Sequence, residues 1–262
     1  MKEADLLNEK VKEAAVKEKS VMKAAIRVLT YNIHHGEGTD QKVDLKRIAE
    51  VIRSTNPDIV ALQEVDRNMF RSGMEEQAAV LGKLTGMHHE FAKAIGFEGS
   101  EYGIAILSRL PMEWVHTTML PNEQDGEPRV LLAAKLLPWQ GLPSVVFANT
   151  HLEWQENIEL AAKIRTEQVK KIQKYLQDKT PYILAGDMNA LPDSLPMHIL
   201  TKEAVDATAS VGITNKEDGK IDYILFDKKS GWKLVGSERI EDDTASDHYP
   251  VLSILEWDPK VR

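Results

Sequence analysis

The chain has 262 residues, 42% hydrophobic and 28% charged, enough for one large α/β domain with a substantial core. It has no cysteine, which excludes disulfides, thiolate catalysis and Cys-ligated zinc and leaves the redox compartment open. A formal net charge of −8 argues against a generally basic nucleic-acid binder, and no apolar run is long enough to cross a bilayer.

Residues 1–22 form a charged leader rich in Lys, Glu and Ala, with Leu6, Leu7, Val11, Ala15 and Val16 near helical spacing. It shows neither an apolar h-region nor a small-residue cleavage site, so it is not read as an intact signal peptide. An exposed amphipathic helix is expected there, with a partner-binding helix as the alternative. Residues 23–262 are expected to form one domain.

Residues 26–33 alternate and are rich in β-branched side chains, which predicts a strand ending in Tyr31-Asn32-Ile33-His34-His35-Gly36. Asn32 can bind a metal or orient a ligand through its carbonyl, and His34 and His35 can meet phosphate or metal. The plain alternative is a polar strand end with two turn histidines. Gly36-Glu37-Gly38 lacks the third glycine and the helix of a dinucleotide fingerprint. Asp44 is placed to cap a helix to about residue 54, with Leu45, Ile48, Ala49 and Ile52 on one face. Residues 58–65 predict a buried strand with Glu64 near its end. A carboxylate in an apolar run needs a partner; a hard cation is the economical one and a salt bridge the alternative.

A helix is expected at 75–84. His88-His89-Glu90 lacks the two-histidine helical spacing of a zinc protease and is read as surface or edge. Strands follow at 90–95, 102–110, 113–120 and 129–137, divided by Pro111, Pro121, Gly126 and Pro138, a pattern that predicts antiparallel pairing. Arg129 can clamp a phosphate or pair with a surface acid. Residues 144–152 predict an apolar strand carrying His151, which can donate a charged hydrogen bond to phosphate or sit as a core histidine. A long helix is expected at 155–177.

The apolar run from Tyr182 leads to Gly186-Asp187-Met188-Asn189. Gly186 is expected to turn the backbone at the strand end, with Asp187 and Asn189 leaving the same side of an extended segment. A carboxylate there can bind metal or take a proton from water, and a carboxamide can hold an oxygen. Pro192-Asp193-Ser194 reads as a turn and helix cap before a short helix at 196–200. Asp222 interrupts the apolar strand Ile221-Asp222-Tyr223-Ile224-Leu225-Phe226, a further strand is expected at 232–240, and Ser246-Asp247-His248 precedes the last one at 251–257. Asp222 could fix the tautomer of the His248 imidazole and raise its basicity.

Six segments in this order, YNIHHG, LQEV, NTHL, GDMN, IDYI and SDHYPV, resemble the endonuclease/exonuclease/phosphatase superfamily with its deoxyribonuclease-I-like fold. The resemblance runs over residues 26–257. It implies a four-layer α/β/β/α sandwich of two packed mixed sheets flanked by helices, with Mg²⁺ or Mn²⁺ assisting water in cleaving a phosphoester. Carried over by match, Asn32, Glu64 and Asp247 are metal-side residues, with Glu64 the principal ligand. His151, Asp187, Asn189, Asp222 and His248 form the catalytic set, while His34 and Arg129 are candidates for substrate contact. Two departures touch substrate contacts: Glu153-Trp154 where many members have Asp-His after the NTHL histidine, and Ile104 where many carry Asn. No Gly-x-Ser-x-Gly elbow supports serine-hydrolase chemistry. The expected partner is a phosphate ester, small or lipid-like. Nucleic acid is the alternative, a catalytically inactive binding protein on the same scaffold is another, and a monomer is assumed.

Overall fold

Hydrophobic alternation with period two assigns each strand residue to one of two faces, and here it produces three apolar layers. The computed structural model describes residues 24–123 and 126–261; the leader helix expected at 1–22 lies outside them. In chain order the elements are β1 (Ala25–Asn32), α1 (Leu45–Thr55), β2 (Ile59–Arg67), α2 (Gln77–Thr85), β3 (His88–Phe97), β4 (Ser100–Ser108), β5 (Met112–Met119), β6 (Val130–Leu136), β7 (Val145–His151), α3 (Ile158–Leu176), β8 (Tyr182–Asp187), α4 (Leu195–Glu203), β9 (Ala204–Asp206), β10 (Asp222–Asp227), β11 (Trp232–Arg239) and β12 (Val251–Trp257).

The strands form two six-stranded sheets, ordered β11-β12-β1-β2-β4-β3 and β5-β6-β7-β8-β10-β9. Each sheet is mixed. β1 and β2 are parallel and joined through α1; β7 and β8 are parallel and joined through α3. The meander β5-β6-β7 and the β3-β4 pair are antiparallel, as the punctuation of the sequence predicts. His88 and His89 are exposed on the edge strand β3.

Ile26, Val28, Ile59, Ala61, Ile104 and Ile106 of one sheet pack against Leu132, Phe147, Ile183, Ala185 and Ile224 of the other. The opposite parity of the first sheet, including Leu29, Tyr31, Val60 and Leu62, packs with residues of α1 and α2, while Leu184, Tyr223 and Leu225 pack with residues of α3 and α4. The layers are therefore α/β/β/α. α1 starts where the Asp44 side chain accepts from the Lys46 and Arg47 amides, as read from sequence. α3 starts three residues after the expected position because the Asn157 side chain caps it through the Leu160 amide.

The structure adds β9 and two short 3-10 turns, His34–Gly36 and Phe70–Ser72, to the expected elements. It also corrects the role of Gly186, which lies inside β8 rather than at a turn. Its φ is +147°, and a Cβ there would collide with the Thr150 carbonyl of the paired strand β7. Close backbone approach, not chain reversal, is what requires glycine.

Candidate active site

The same alternation that builds the inter-sheet core carries polar groups to one end of it. On β7 the parity of Val145 and Phe147 continues to Asn149 and His151. On β8 that of Ile183 and Ala185 continues to Asp187, and on β10 Asp222 shares the face of Ile224 and Phe226. On β1 the parity of Ile26 and Val28 continues to Thr30 and Asn32. Registers align these residues: His151 pairs with Asp187 across parallel β7-β8, and Asp222 pairs with Asp187 across antiparallel β10-β8.

A buried polar layer separates the apolar core from the site. Gln63 donates to Asn149 Oδ1 at 2.8 Å, and Asn149 donates to the Leu62 and Ala105 carbonyls, each at 2.8 Å. These bonds tie the two sheets together beneath the functional groups and leave the amides satisfied.

Glu64 arrives by a different device. β2 and β4 change register between Leu62 and Val65, a bulge that sets Gln63 and Glu64 against the single residue Ile104. Glu64 has φ +57° there, and its side chain lines the cleft. Ile104 itself is buried in the inter-sheet core.

Asp187 is the hub. Its Oδ2 accepts from Asn32 Nδ2 at 3.1 Å and lies 3.6 Å from His151 Nε2 and 3.8 Å from His248 Nε2. Its Oδ1 accepts from the Asn189 amide at 2.8 Å. Asn189 has φ +45°, so the segment is a tight turn rather than the extended run expected, and its Nδ2 donates to the Leu152 carbonyl at 3.0 Å. Burial, with Asp222 alongside, pushes the Asp187 carboxyl up.

Asn32 also donates to Glu64 Oε1 at 3.1 Å, while its Oδ1 accepts from the His34 amide at 3.1 Å. A backbone N–H can only donate, so the amide group of Asn32 faces the two carboxylates. It is thus placed to orient Glu64 and Asp187.

His248 Nδ1 lies 2.9 Å from Asp222 Oδ2, the pairing read from sequence. A carboxylate can only accept, so Nδ1 carries the proton and Nε2 faces Asp187. Burial opposes its charge, but Asp222 overcomes this and the imidazole is pushed up to about 10. His151 behaves in the opposite way. Arg129 Nη1 donates to His151 Nδ1 at 3.1 Å, so Nε2 carries the ring proton. Burial, and then the Arg129 charge, push His151 well below the usual imidazole range. Of the two readings the sequence allowed, a charged donor or a core histidine, the site holds a buried ring with a neutral Nε2–H.

These groups open onto a cleft of about 680 Å³ lined by His34, Glu64, Arg129, His151, Asp187, Asn189, Asp247 and His248. Asn32 and Asp222 stand behind it, each almost fully buried. Asp187 and Asp222 are buried, whereas Glu64 and Asp247 are half-buried, more open than the sequence suggests. Ser246 Oγ donates to the Asn32 carbonyl at 2.9 Å, tying the Asp247-His248 loop to the end of β1. Trp154, named among the departures from the family pattern, lines the cleft; sequence reasoning missed Arg71, Tyr102, Asn215 and Lys216 on its wall. None has a local motif; Arg71, for example, lies within the Phe70–Ser72 3-10 turn and is held by both oxygens of Asp66 at 2.8 Å.

Glu64, Asp187 and Asp247 line the same cleft, with Asp222 paired to Asp187 across β8 and β10 behind it. Two buried carboxylates in direct register are poorly balanced by one imidazolium, and hard oxygen donors suit a divalent cation. The residues present therefore fit such an ion. Among the described residues, two groups bring ligand atoms within 4.8 Å of one another: Asp187, Asp222 and His248, and His34, His35 and Glu64.

Two mixed sheets packed face to face between helices, with this set at one end, define a deoxyribonuclease-I-like sandwich. The chain belongs to the endonuclease/exonuclease/phosphatase family, whose model matches residues 29–248. It is similar to the protein angel homolog 2 of Mus musculus, 26% identical over 226 residues, covering 82% of this chain and 36% of that protein. It thus spans about a third of the length of the curated relatives it matches. Its structure resembles that of an endonuclease/exonuclease/phosphatase from Beutenbergia cavernae, with 26% identity and a TM-score of 0.77 over 89% of this chain and 72% of that one. It also resembles ANGEL2, described as a 2′,3′-cyclic phosphatase in complex with adenosine-2′,3′-vanadate, with 15% identity and a TM-score of 0.69 over 90% of this chain and 96% of that one.

Proposed function

We propose that this protein is a divalent-metal-dependent phosphoesterase that hydrolyses a small or lipid-like phosphodiester or phosphomonoester with activated water. The observation that carries the reading is the convergence of Glu64, Asp187, His151 and His248 on one cleft. Glu64 and Asp247 would hold Mg²⁺ or Mn²⁺, with Asn32 orienting Glu64. When bound, the ion neutralises phosphate charge and stabilises the leaving oxygen.

The remaining work falls to the side chains. Asp187, made more basic by burial, takes a proton from the attacking water. Asn189, fixed through Leu152, holds that water and the phosphate in line. The neutral Nε2–H of His151 and the charged Nε2–H of His248 donate to phosphoryl oxygens as negative charge builds. Asp222 keeps His248 in the one tautomer that can do so. Arg129 fixes His151 and adds a positive charge to the wall, where His34 offers a further phosphate contact.

The cleft volume falls in the range of small-ligand sites, and the acidic chain disfavours a nucleic-acid duplex. The resemblance to ANGEL2, described as a 2′,3′-cyclic phosphatase bound to an adenosine vanadate, supports a second reading, a nuclease or nucleotide-end phosphatase. A panel of nucleic acids, cyclic nucleotides, sphingomyelin, inositol phosphates and a chromogenic diester, assayed in Mg²⁺ and in Mn²⁺, separates the two. The first reading expects turnover of a small or lipid-like ester, abolished in Asp187→Ala. Preferred turnover of nucleic acid, with submicromolar binding that weakens steeply with salt, would promote the second.

A further inference from the structure

Three consecutive residues after β1, His34, His35 and Gly36, and Glu64 on the β2 bulge all have positive φ, at +45°, +43°, +82° and +57°. For the three that are not glycine this conformation costs about 1–2 kcal/mol each, and it persists only when surroundings enforce it. Its effect is to bring one nitrogen of each imidazole and one Glu64 oxygen within 4.8 Å of one another.

Glu37 sets up both rings. Its backbone carbonyl lies 3.3 Å from His34 Nδ1, and its carboxylate lies 3.6 Å from His35 Nε2. A carbonyl and a carboxylate are acceptors, so each draws the ring proton to the nitrogen it faces and leaves the other nitrogen with a lone pair. On His35 that other nitrogen is Nδ1, which is buried and has no hydrogen-bond partner; the whole residue is only 7% exposed. A buried imidazole nitrogen without a partner is costly unless a ligand completes it.

We propose that His34, His35 and Glu64 form a second cation position, sharing the Glu64 carboxylate with the Mg²⁺ or Mn²⁺ position and taking a borderline transition ion of the zinc type. Two imidazole nitrogens and one carboxylate form a donor set that suits Zn²⁺, Co²⁺ or Fe²⁺, whereas Mg²⁺ prefers oxygen alone. Glu37 acts behind His35 as the carboxylate that orients a metal-binding imidazole. The proposal rests on the reading of Glu64 as a cation ligand, and it makes the cleft responsive to two kinds of ion rather than one.

Calorimetric titration of the full chain with Zn²⁺ in saturating Mg²⁺ tests this. One equivalent of Zn²⁺ should bind without displacing Mg²⁺. Its affinity should fall about tenfold or more in His34→Gln and again in His35→Gln. In the unsubstituted protein, Zn²⁺ should shift the ring ¹⁵N resonances of His34 and His35, a readout that does not depend on a variant folding. Zn²⁺ that merely competes with Mg²⁺, or that binds with both rings unshifted and with unchanged affinity in both variants, overturns the second position. Glu64→Gln separates the two ideas. If it loses Mg²⁺ binding while the zinc results are negative, only the second position falls. If it keeps Mg²⁺ binding, the assignment of Glu64 falls, and the second position falls with it.

Discussion

Asp222→Asn keeps the shape of a fully buried side chain and removes the charge that faces His248 Nδ1 at 2.9 Å. Burial alone would lower the His248 imidazole; Asp222 is the largest influence that raises it from its ordinary 6.5 to about 10. Loss of one adjacent countercharge should therefore bring it down by about 2 pH units, equivalent to about 3 kcal/mol of preference for the imidazolium. Asp187 and Asp247 also raise it, so part of the elevation should survive. The new carboxamide can present either an oxygen or an NH₂ to Nδ1, and the second choice gives the wrong tautomer. Turnover should fall by about 10²–10⁴-fold. The variant's loss of stability should be largest below pH 6.5, should shrink as pH rises, and should vanish above about 10, because a raised imidazole stabilises the fold only while it is protonated. The assay is an NMR titration of His248 in metal-free protein, with melting temperature and turnover measured on the same preparation. An unmoved His248 titration with turnover within about twofold of the parent would refute the pairing as a functional device and leave Asp222 a structural residue.

Glu64→Gln should lose most Mg²⁺ and Mn²⁺ affinity with little change in melting temperature, because a half-buried carboxylate becomes an isosteric amide; calorimetry reads the first and circular dichroism the second. Arg129→Lys keeps a charge but not the guanidinium that reaches both His151 Nδ1 and Glu127, so kcat/KM should drop on the order of 100-fold while the fold persists. Gly186→Ala should destabilise the protein by more than about 2 kcal/mol in urea, because the added Cβ meets the Thr150 carbonyl inside paired strands; a loss under about 0.5 kcal/mol would show that β7 and β8 can part there.

Much of this site was legible in the sequence because strands write their geometry in parity. His151, Asp187 and Asp222 each continue the inward face of an apolar strand, so their meeting follows from alternation once the strands are neighbours. The motif order supplied that neighbourhood through the family resemblance. Glu64 is different. Its parity is reset by a bulge, and nothing in Leu62-Gln63-Glu64-Val65 announces one. Long-range electrostatics were also out of reach. The sequence left His151 open between a charged donor and a core histidine, and only its burial beside Arg129 makes it neutral. Arg71, Tyr102 and Lys216 reach the cleft from segments remote in the chain, and no local pattern marks them. Gly186 was recognised as special for the wrong reason, since strand-to-strand crowding is visible only after the sheet is assembled.

Hydrolysis in ¹⁸O-labelled water bears most directly on the proposed chemistry. The purified chain is given a chromogenic phosphodiester and the best natural ester from the substrate panel, in Mg²⁺ and in Mn²⁺, and the phosphoryl product is weighed by mass spectrometry. Attack by water oriented through Asp187 and Asn189 should place one ¹⁸O in each product phosphoryl group. Turnover should stop on chelation, return with added metal, and be lost in Asp187→Ala that still melts as a folded protein. Turnover that survives both chelation and Asp187→Ala, or product free of label, would contradict metal-assisted attack by water at this cleft.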